Sequence, residues 1–357
     1  MFFAVGSYTH PDSPAPEPRG RGISIFDWDE STGRGRLISE YTEIRNPSCL
    51  SSDRDSRMLY AVSEEENSSG SVTAFVYSRS GVLKPVGRQE GPGRAGCHLS
   101  PVCSPPGIAV VSYGDGRLRI YPLEEGVPGF PVFTYSYQGS GPDSHRQESP
   151  HAHQVLPGPD GRFLYVTDLG SDVVWKHSSA DAGKDISAAL KLPPGYGPRH
   201  LAFDPGGQYA YLLCELVPVL LVCGIDTVSG EMRILQELRT SSPGNIHPGA
   251  PAAVKIHPSG NTLAVSSRFD NTISVFTISR GGEISGDERV LIPAGGFSSR
   301  GKTPRDICFT ESGSRLFIAN QDSHNISCRI FNPLTGLPAD GWEEDISSGS
   351  PVCIVML

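Results

Sequence analysis

Apolar residues along this chain fall in short alternating or β-branched runs, separated by Gly, Pro, Asp and Ser. Period-two alternation predicts strands with one face toward a core. Helical periodicity is hard to find. One run, Ile23-Ser24-Ile25-Phe26-Asp27, leads into the turn Thr32-Gly33. Counterparts follow Phe26 at Phe75, Tyr121, Lys176, Cys223, Phe276 and Arg329, spaced 46 to 55 residues apart. Each copy is preceded by another strand: Phe2 to Tyr8, Met58 to Glu64, Ile108 to Tyr113, Phe163 to Asp168, Tyr209 to Glu215, Thr262 to Arg268 and Leu316 to Gln321. A third strand opens before that one, often at a Pro such as Pro47, Pro198, Pro251, Pro304 or Pro351, and a fourth follows the anchor.

Four short strands in each of seven repeats predict an all-β fold, a seven-bladed β-propeller of antiparallel strands. The chain starts on a second strand and finishes on a lone first strand, Pro351 to Leu357. Pairing the two would close the ring and remove an open sheet edge. Residues 1–357 read as a single domain, expected to be a monomer. The polar insertion Gly139 to Ser149 reads as a surface excursion.

Composition narrows the function. Thirty Lys and Arg stand against 39 Asp and Glu, a net charge of −9, which argues against nucleic acid or an anionic membrane as partner. No apolar run is long enough for a transmembrane helix. The first residues lack a basic n-region and read as a strand that starts at once. Eight Cys are scattered with no C-x-x-C motif, consistent with free thiols in a reducing cytoplasm.

Repeats place equivalent residues on rings around a central channel. Aligned on the second-strand ends, the units finish in Tyr8, Glu64, Tyr113, Asp168, Glu215, Arg268 and Gln321. Fifteen residues earlier stand Cys49, His98, His153, His200, Ala253 and Asp306; sixteen earlier stand Ser48, Cys97, Ala152, Arg199, Ala252 and Arg305. Polar and charged residues recur where a strand interior favours apolar ones. Asp168, Asp306 and His200 read as structural members of the rings, bonded to the backbone or to neighbours. The sharper candidates are His151, His153, Arg199, Glu215, Arg268 and Arg305. Arg offers forked donors to carboxylate or phosphate, and His or Glu can move a proton near neutral pH. His151-Ala152-His153 could seed a zinc site with Glu215 or Asp168, but three Arg would oppose a divalent cation, so no metal and no cofactor is expected. Cys97 should point away from His98, because adjacent strand residues face opposite sides.

The motifs at these loops carry a family resemblance. Gly6-Ser7-Tyr8-Thr9, Asn46-Pro47-Ser48, Cys97-His98-Leu99-Ser100, Pro150-His151-Ala152-His153, Thr167-Asp168-Leu169-Gly170, Gly197-Pro198-Arg199-His200, Gly301-Lys302-Thr303-Pro304-Arg305-Asp306 and Ala319-Asn320-Gln321-Asp322 resemble the lactonase family of seven-bladed propellers. That family includes cycloisomerase-type 6-phosphogluconolactonases and muconate lactonizing enzymes. The resemblance implies a metal-independent cytosolic enzyme that opens or makes a lactone ring. It implies catalytic roles for His151, Arg199, Glu215 and Arg268. Glu64, His98, His153, Arg305 and Gln321 complete the expected substrate-binding set. The substrate expected is a small anionic or polyhydroxylated lactone hydrolysed in the channel mouth, with Glu215 or His151 as base. A cycloisomerase or a non-catalytic binding scaffold are the alternatives. One departure is the absence of the Glu that the family often carries in the segment Gly249 to Val254.

Overall fold

The alternating runs become strands grouped in seven antiparallel sheets. The computed structural model describes residues 1–103, 106–179, 185–240, 249–280 and 289–357. Counting blades in chain order, the first contains Phe2–Ser7, Ile23–Asp29 and Arg34–Tyr41, with Pro351–Met356 as its innermost strand. The expected closure is therefore present: Ala4 pairs with Val355 and Gly6 with Cys353. The innermost strands of blades 2 to 7 are Pro47–Asp53, Gly96–Cys103, Ala152–Pro157, Pro198–Phe203, Pro251–Ile256 and Pro304–Phe309.

The core lies between neighbouring sheets rather than within one. Phe3, Phe26 and Trp28 of blade 1 pack on Phe317 and Ile326 of blade 7, and the Phe3 and Phe317 rings stack at 4.7 Å. Large aromatic residues at this seam add burial and ring geometry together. Polar bonds tie the inner strands to one another. Leu201 N–H donates to Gln154 Oε1 at 2.6 Å, Ile354 N–H to Asp306 Oδ2 at 2.9 Å and Leu50 N–H to Cys353 Sγ at 3.3 Å. Asp306 thus has the structural place expected for it, linking the last blade to the closing strand.

Every inner strand carries a register shift at its mouth end. Such a bulge inserts one residue and re-aims its neighbours. The extra residues include Ser48, Cys97, His153, Arg199 and Arg305. This overturns the expectation for Cys97. With the bulge between Gly96 and His98, strict alternation fails, and Cys97 and His98 both line the channel. The same device turns Arg199 and His200, though adjacent, toward one cavity.

A second correction concerns blade 4. At the strand ends, one N–H per blade donates to the carbonyl before the inner strand: Tyr8 to Ser350, Glu64 to Asn46, Tyr113 to Ala95, Leu169 to His151, Glu215 to Gly197, Arg268 to Ala250 and Gln321 to Thr303. Leu169, not Asp168, occupies the ring position. Asp168 lies one residue inward and fully buried. Its carboxylate accepts the His151 and Gly170 N–H groups and the Trp175 indole N–H. His153, not Ala152, is then the counterpart of Arg199 and Arg305.

Candidate active site

Seven bulged strand starts surround the mouth of the channel, and their side chains converge on a polar cavity of about 90 Å³. Its wall includes Glu64, His98, His153, Arg199, His200 and Arg305. Five of the nine residues singled out from the sequence are among these; Glu215 bonds Arg199 directly and Arg268 joins it through Glu215.

Glu215 is the hub. Its Oε2 accepts Arg199 Nε at 2.8 Å and Arg268 Nη2 at 2.9 Å. Its Oε1 accepts Arg146 Nη2 at 2.6 Å. Burial alone would raise the Glu215 carboxyl, but Arg268, Arg199 and Arg146 together hold it well below the usual carboxylate range. Burial, with Arg268 beside it, pulls Arg199 down to about 10 against the pull of Glu215, so it stays cationic at neutral pH. Arg199 also donates to the Ala252 carbonyl, which fixes its fork. Three guanidiniums face one carboxylate here, leaving positive charge over for a ligand.

A second, smaller cluster stands across the mouth. Tyr8 Oη–H donates to Glu64 Oε2 at 2.7 Å, Arg305 Nη2 lies 3.8 Å from Glu64 Oε1, and the Arg305 guanidinium sits 5.1 Å above the Tyr8 ring. Gln321 makes no hydrogen bond to either cluster among the described residues. Its amide donates to Asp322 at 2.8 Å, while its buried Oε1 has no partner among the described residues.

His151 is set between two blades. Its ring stacks on Tyr113 at 4.3 Å and its Nδ1 lies 2.8 Å from the Tyr113 carbonyl oxygen. A carbonyl only accepts, so Nδ1 carries a proton. Nε2 lies 3.2 Å from Glu148 Oε1, so the ring is held between two acceptors. Gly170 is required close by, because a Cβ there would overlap the Ser149 carbonyl beside His151.

Below the arginines lies a row of imidazoles. His153 and His200 are 5.4 Å apart between ring centres, and His98 and His200 6.0 Å. Burial, with Arg199 and Lys255 adding to it, holds His98 down at about 3. Burial and Arg199 push His153 and His200 the same way. All three are neutral rings at physiological pH, and Nδ1 of His98 and of His153 has no partner among the described residues. Cys97 stands beside them, its Sγ 3.3 Å from the His153 carbonyl oxygen. Burial raises that thiol well above its ordinary value, so it is no thiolate nucleophile. Among the described residues no group of three or more His, Cys, Asp or Glu is placed to hold a metal ion.

Two site residues escaped the sequence reading, and both come from the insertion Gly139 to Ser149. The segment is not a mere surface excursion. It folds back so that Arg146 reaches Glu215 and Glu148 reaches His151. The repeat register gave no signal, since an insertion has no counterparts in other blades. The one hint was an Arg five positions and a Glu three positions before the candidate His151.

Known proteins match this chain over nearly its whole length. Residues 2–356 match the family model described as lactonase, 7-bladed β-propeller. The chain is 26% identical to a 6-phosphogluconolactonase of Bacillus subtilis, over 99% of this chain and 97% of that one. It is 30% identical to a 6-phosphogluconolactonase of Formosa agariphila, over 90% of each chain. The crystal structure of a periplasmic gluconolactonase from Pseudomonas aeruginosa superposes with a TM-score of 0.87 at 25% identity, covering 99% of this chain and 98% of that one. By its repeats, its closure and this match, the chain belongs to the lactonase family of seven-bladed β-propellers.

Proposed function

We propose that this protein hydrolyses a sugar lactone at the channel mouth, with 6-phosphogluconolactone or gluconolactone as the substrate class. The observation that carries the reading is the Arg199–Glu215–Arg268 cluster, linked through Arg146 and Tyr113 to His151, whose Nε2 faces the Glu148 carboxylate. The relatives' names point to the same chemistry.

A water held at the His151–Glu148 pair attacks the lactone carbonyl carbon, and its proton passes to that pair. Negative charge gathers on the former carbonyl oxygen, where the Arg199 and Arg268 donors stabilise it in a site with little competing water. Collapse of the tetrahedral intermediate breaks the ring C–O bond. The proton on that pair then goes to the departing alkoxide, leaving a hydroxy acid that ionises and releases one proton. Glu215 is a poor base with three guanidiniums around it. It is better suited to hold Arg199 and Arg268 in register, a positioning role. The neutral imidazoles His98 and His153, with Arg305 and Glu64, supply donors and acceptors for the sugar hydroxyls.

The test is acid release from these lactones by the wild type, His151→Gln and Arg199→Ala. Loss of turnover of about 10²-fold or more in both variants, with folding intact, is expected. Wild-type rates in either would overturn the assignment. Residues 1–357 are read as one domain acting as a monomer. The cytoplasm is the proposed compartment, supported by all eight cysteines being free thiols and by no described helix being long and apolar enough to cross a membrane.

A further inference from the structure

The strap that carries Arg146 is fastened through its backbone and through Gln147. The Asp143 carboxylate accepts the N–H groups of His145 at 2.9 Å and Arg146 at 3.1 Å. Gln147 N–H donates to the Asp143 carbonyl at 2.7 Å, and Gly141 N–H to the Gln147 carbonyl at 2.9 Å. The Gln147 side chain is fully buried and its amide donates to the Leu169 carbonyl at 2.9 Å. Gly141 must be glycine here, since a Cβ would overlap the Gln147 amide. The backbone is thus locked over the mouth, with Gln147 as its peg.

The three guanidiniums on Glu215 differ in freedom. The Arg199 side chain is 3% exposed and Arg268 15%, and each also donates to a backbone carbonyl, of Ala252 and Ala250. The Arg146 side chain is 42% exposed, and its other partner is the Tyr113 hydroxyl at 3.3 Å. Arg146 alone holds Oε1, while Oε2 keeps two cations. If Arg146 leaves, Glu215 remains compensated. If either of the others leaves, an inner-strand contact is lost as well. A cation that is the most exposed of the three, tied to no backbone carbonyl and carried on a rigid strap beside surplus positive charge suits an incoming anion.

We propose that Arg146 is the residue that selects the substrate's charge: it swings from Glu215 to the anionic substituent of the lactone, a phosphate monoester, while the strap stays in place. A phosphate monoester carries about −1.5 to −2 at neutral pH, which matches the two positive charges left over around Glu215. The inference rests on the lactonase reading, and it adds that the insertion decides between phosphorylated and neutral lactones.

The experiment measures kcat/KM for 6-phosphogluconolactone and for unphosphorylated gluconolactone in the wild type, Arg146→Ala and Arg146→Lys. The ratio of the two values should fall by about 10- to 100-fold in Arg146→Ala, the worth of a charge-assisted bond, mostly through KM for the phosphorylated substrate. Arg146→Lys should keep part of the ratio. An unchanged ratio, with both substrates losing equally in kcat, would overturn the proposal and make Arg146 a support for Glu215. If the wild type opens neither lactone, the lactonase reading fails separately. Thermal stabilisation by 6-phosphogluconate and by inorganic phosphate then decides: a weaker response in Arg146→Ala upholds the anion role, and an equal response overturns it.

Discussion

Replacing Glu215 by Gln keeps the shape of the side chain and removes the one negative charge among three guanidiniums. Arg199 and Arg268, 3% and 15% exposed, lose a charge-assisted partner at 2.8 and 2.9 Å. Arg146, 42% exposed, is better solvated than either and loses less. Removing one partner from a buried ion pair costs about 3–5 kcal/mol, because the remaining charge stays buried. For a chain of 357 residues the unfolding entropy is roughly 0.75 kcal/mol per kelvin, so the midpoint should fall by about 4–7 °C. Scanning calorimetry in chloride and in phosphate at matched ionic strength reads this directly. The deficit should shrink in phosphate, as the anion takes the place of the carboxylate between the freed forks. Turnover should fall by about 10²- to 10³-fold, as for lost oxyanion donors, while the residual rate keeps the wild-type pH profile. A variant as stable as the wild type and indifferent to phosphate would refute the reasoning. A residual rate with its acid limb abolished would instead make Glu215 the base.

Further predictions concern other links. The fully buried Asp168 carboxylate organises the His151 loop, so Asp168→Asn should lower both stability and kcat, seen in urea melts and steady-state rates. His98, His153 and His200 have folded pKa values depressed below the unfolded value of 6.5, with His98 at about 3. Below pH 6.5 the unfolded chain binds more protons than the folded one. Stability should therefore fall on acidification, by up to about 1.4 kcal/mol per pH unit for each ring. Urea midpoints between pH 7 and 5 test this, and His98→Gln should flatten the slope. Deleting Pro351–Leu357 removes the innermost strand of blade 1 and the Asp306–Ile354 bond. The truncated chain should lose its cooperative melt, and a retained sharp transition would contradict the closure.

Much of this molecule is written in period-two runs and turn residues, because each blade buries its faces against its neighbours and repeats the same solution. The ring closure followed from where the strand pattern starts and stops. The convergence of Arg199, Glu215 and Arg268 followed from repeat arithmetic, because equivalent strand positions lie on one circle. Three features escaped that arithmetic for physical reasons. The bulges break alternation, so Cys97 and His98 share the channel although their spacing assigns them to opposite faces. Blade 4 is offset by one residue, which put Asp168 where Leu169 stands. Arg146 and Glu148 belong to an insertion whose position is set by Asp143 and Gln147 bonds, and no repeat reports those. Tyr8 was placed on the ring, but its bond to Glu64 depends on side-chain reach across two blades.

The most direct test of the site is lactone opening in a lightly buffered pH-indicator assay with chelator present. It would compare 6-phosphogluconolactone and gluconolactone, each with the wild type and with Arg199→Ala. The expected result is rapid acid release by the wild type from at least one lactone, well above spontaneous hydrolysis, and its near-complete loss in Arg199→Ala. Wild-type rates no faster than the uncatalysed reaction, or an Arg199→Ala enzyme as fast as the wild type, would contradict a lactonase site at the channel mouth.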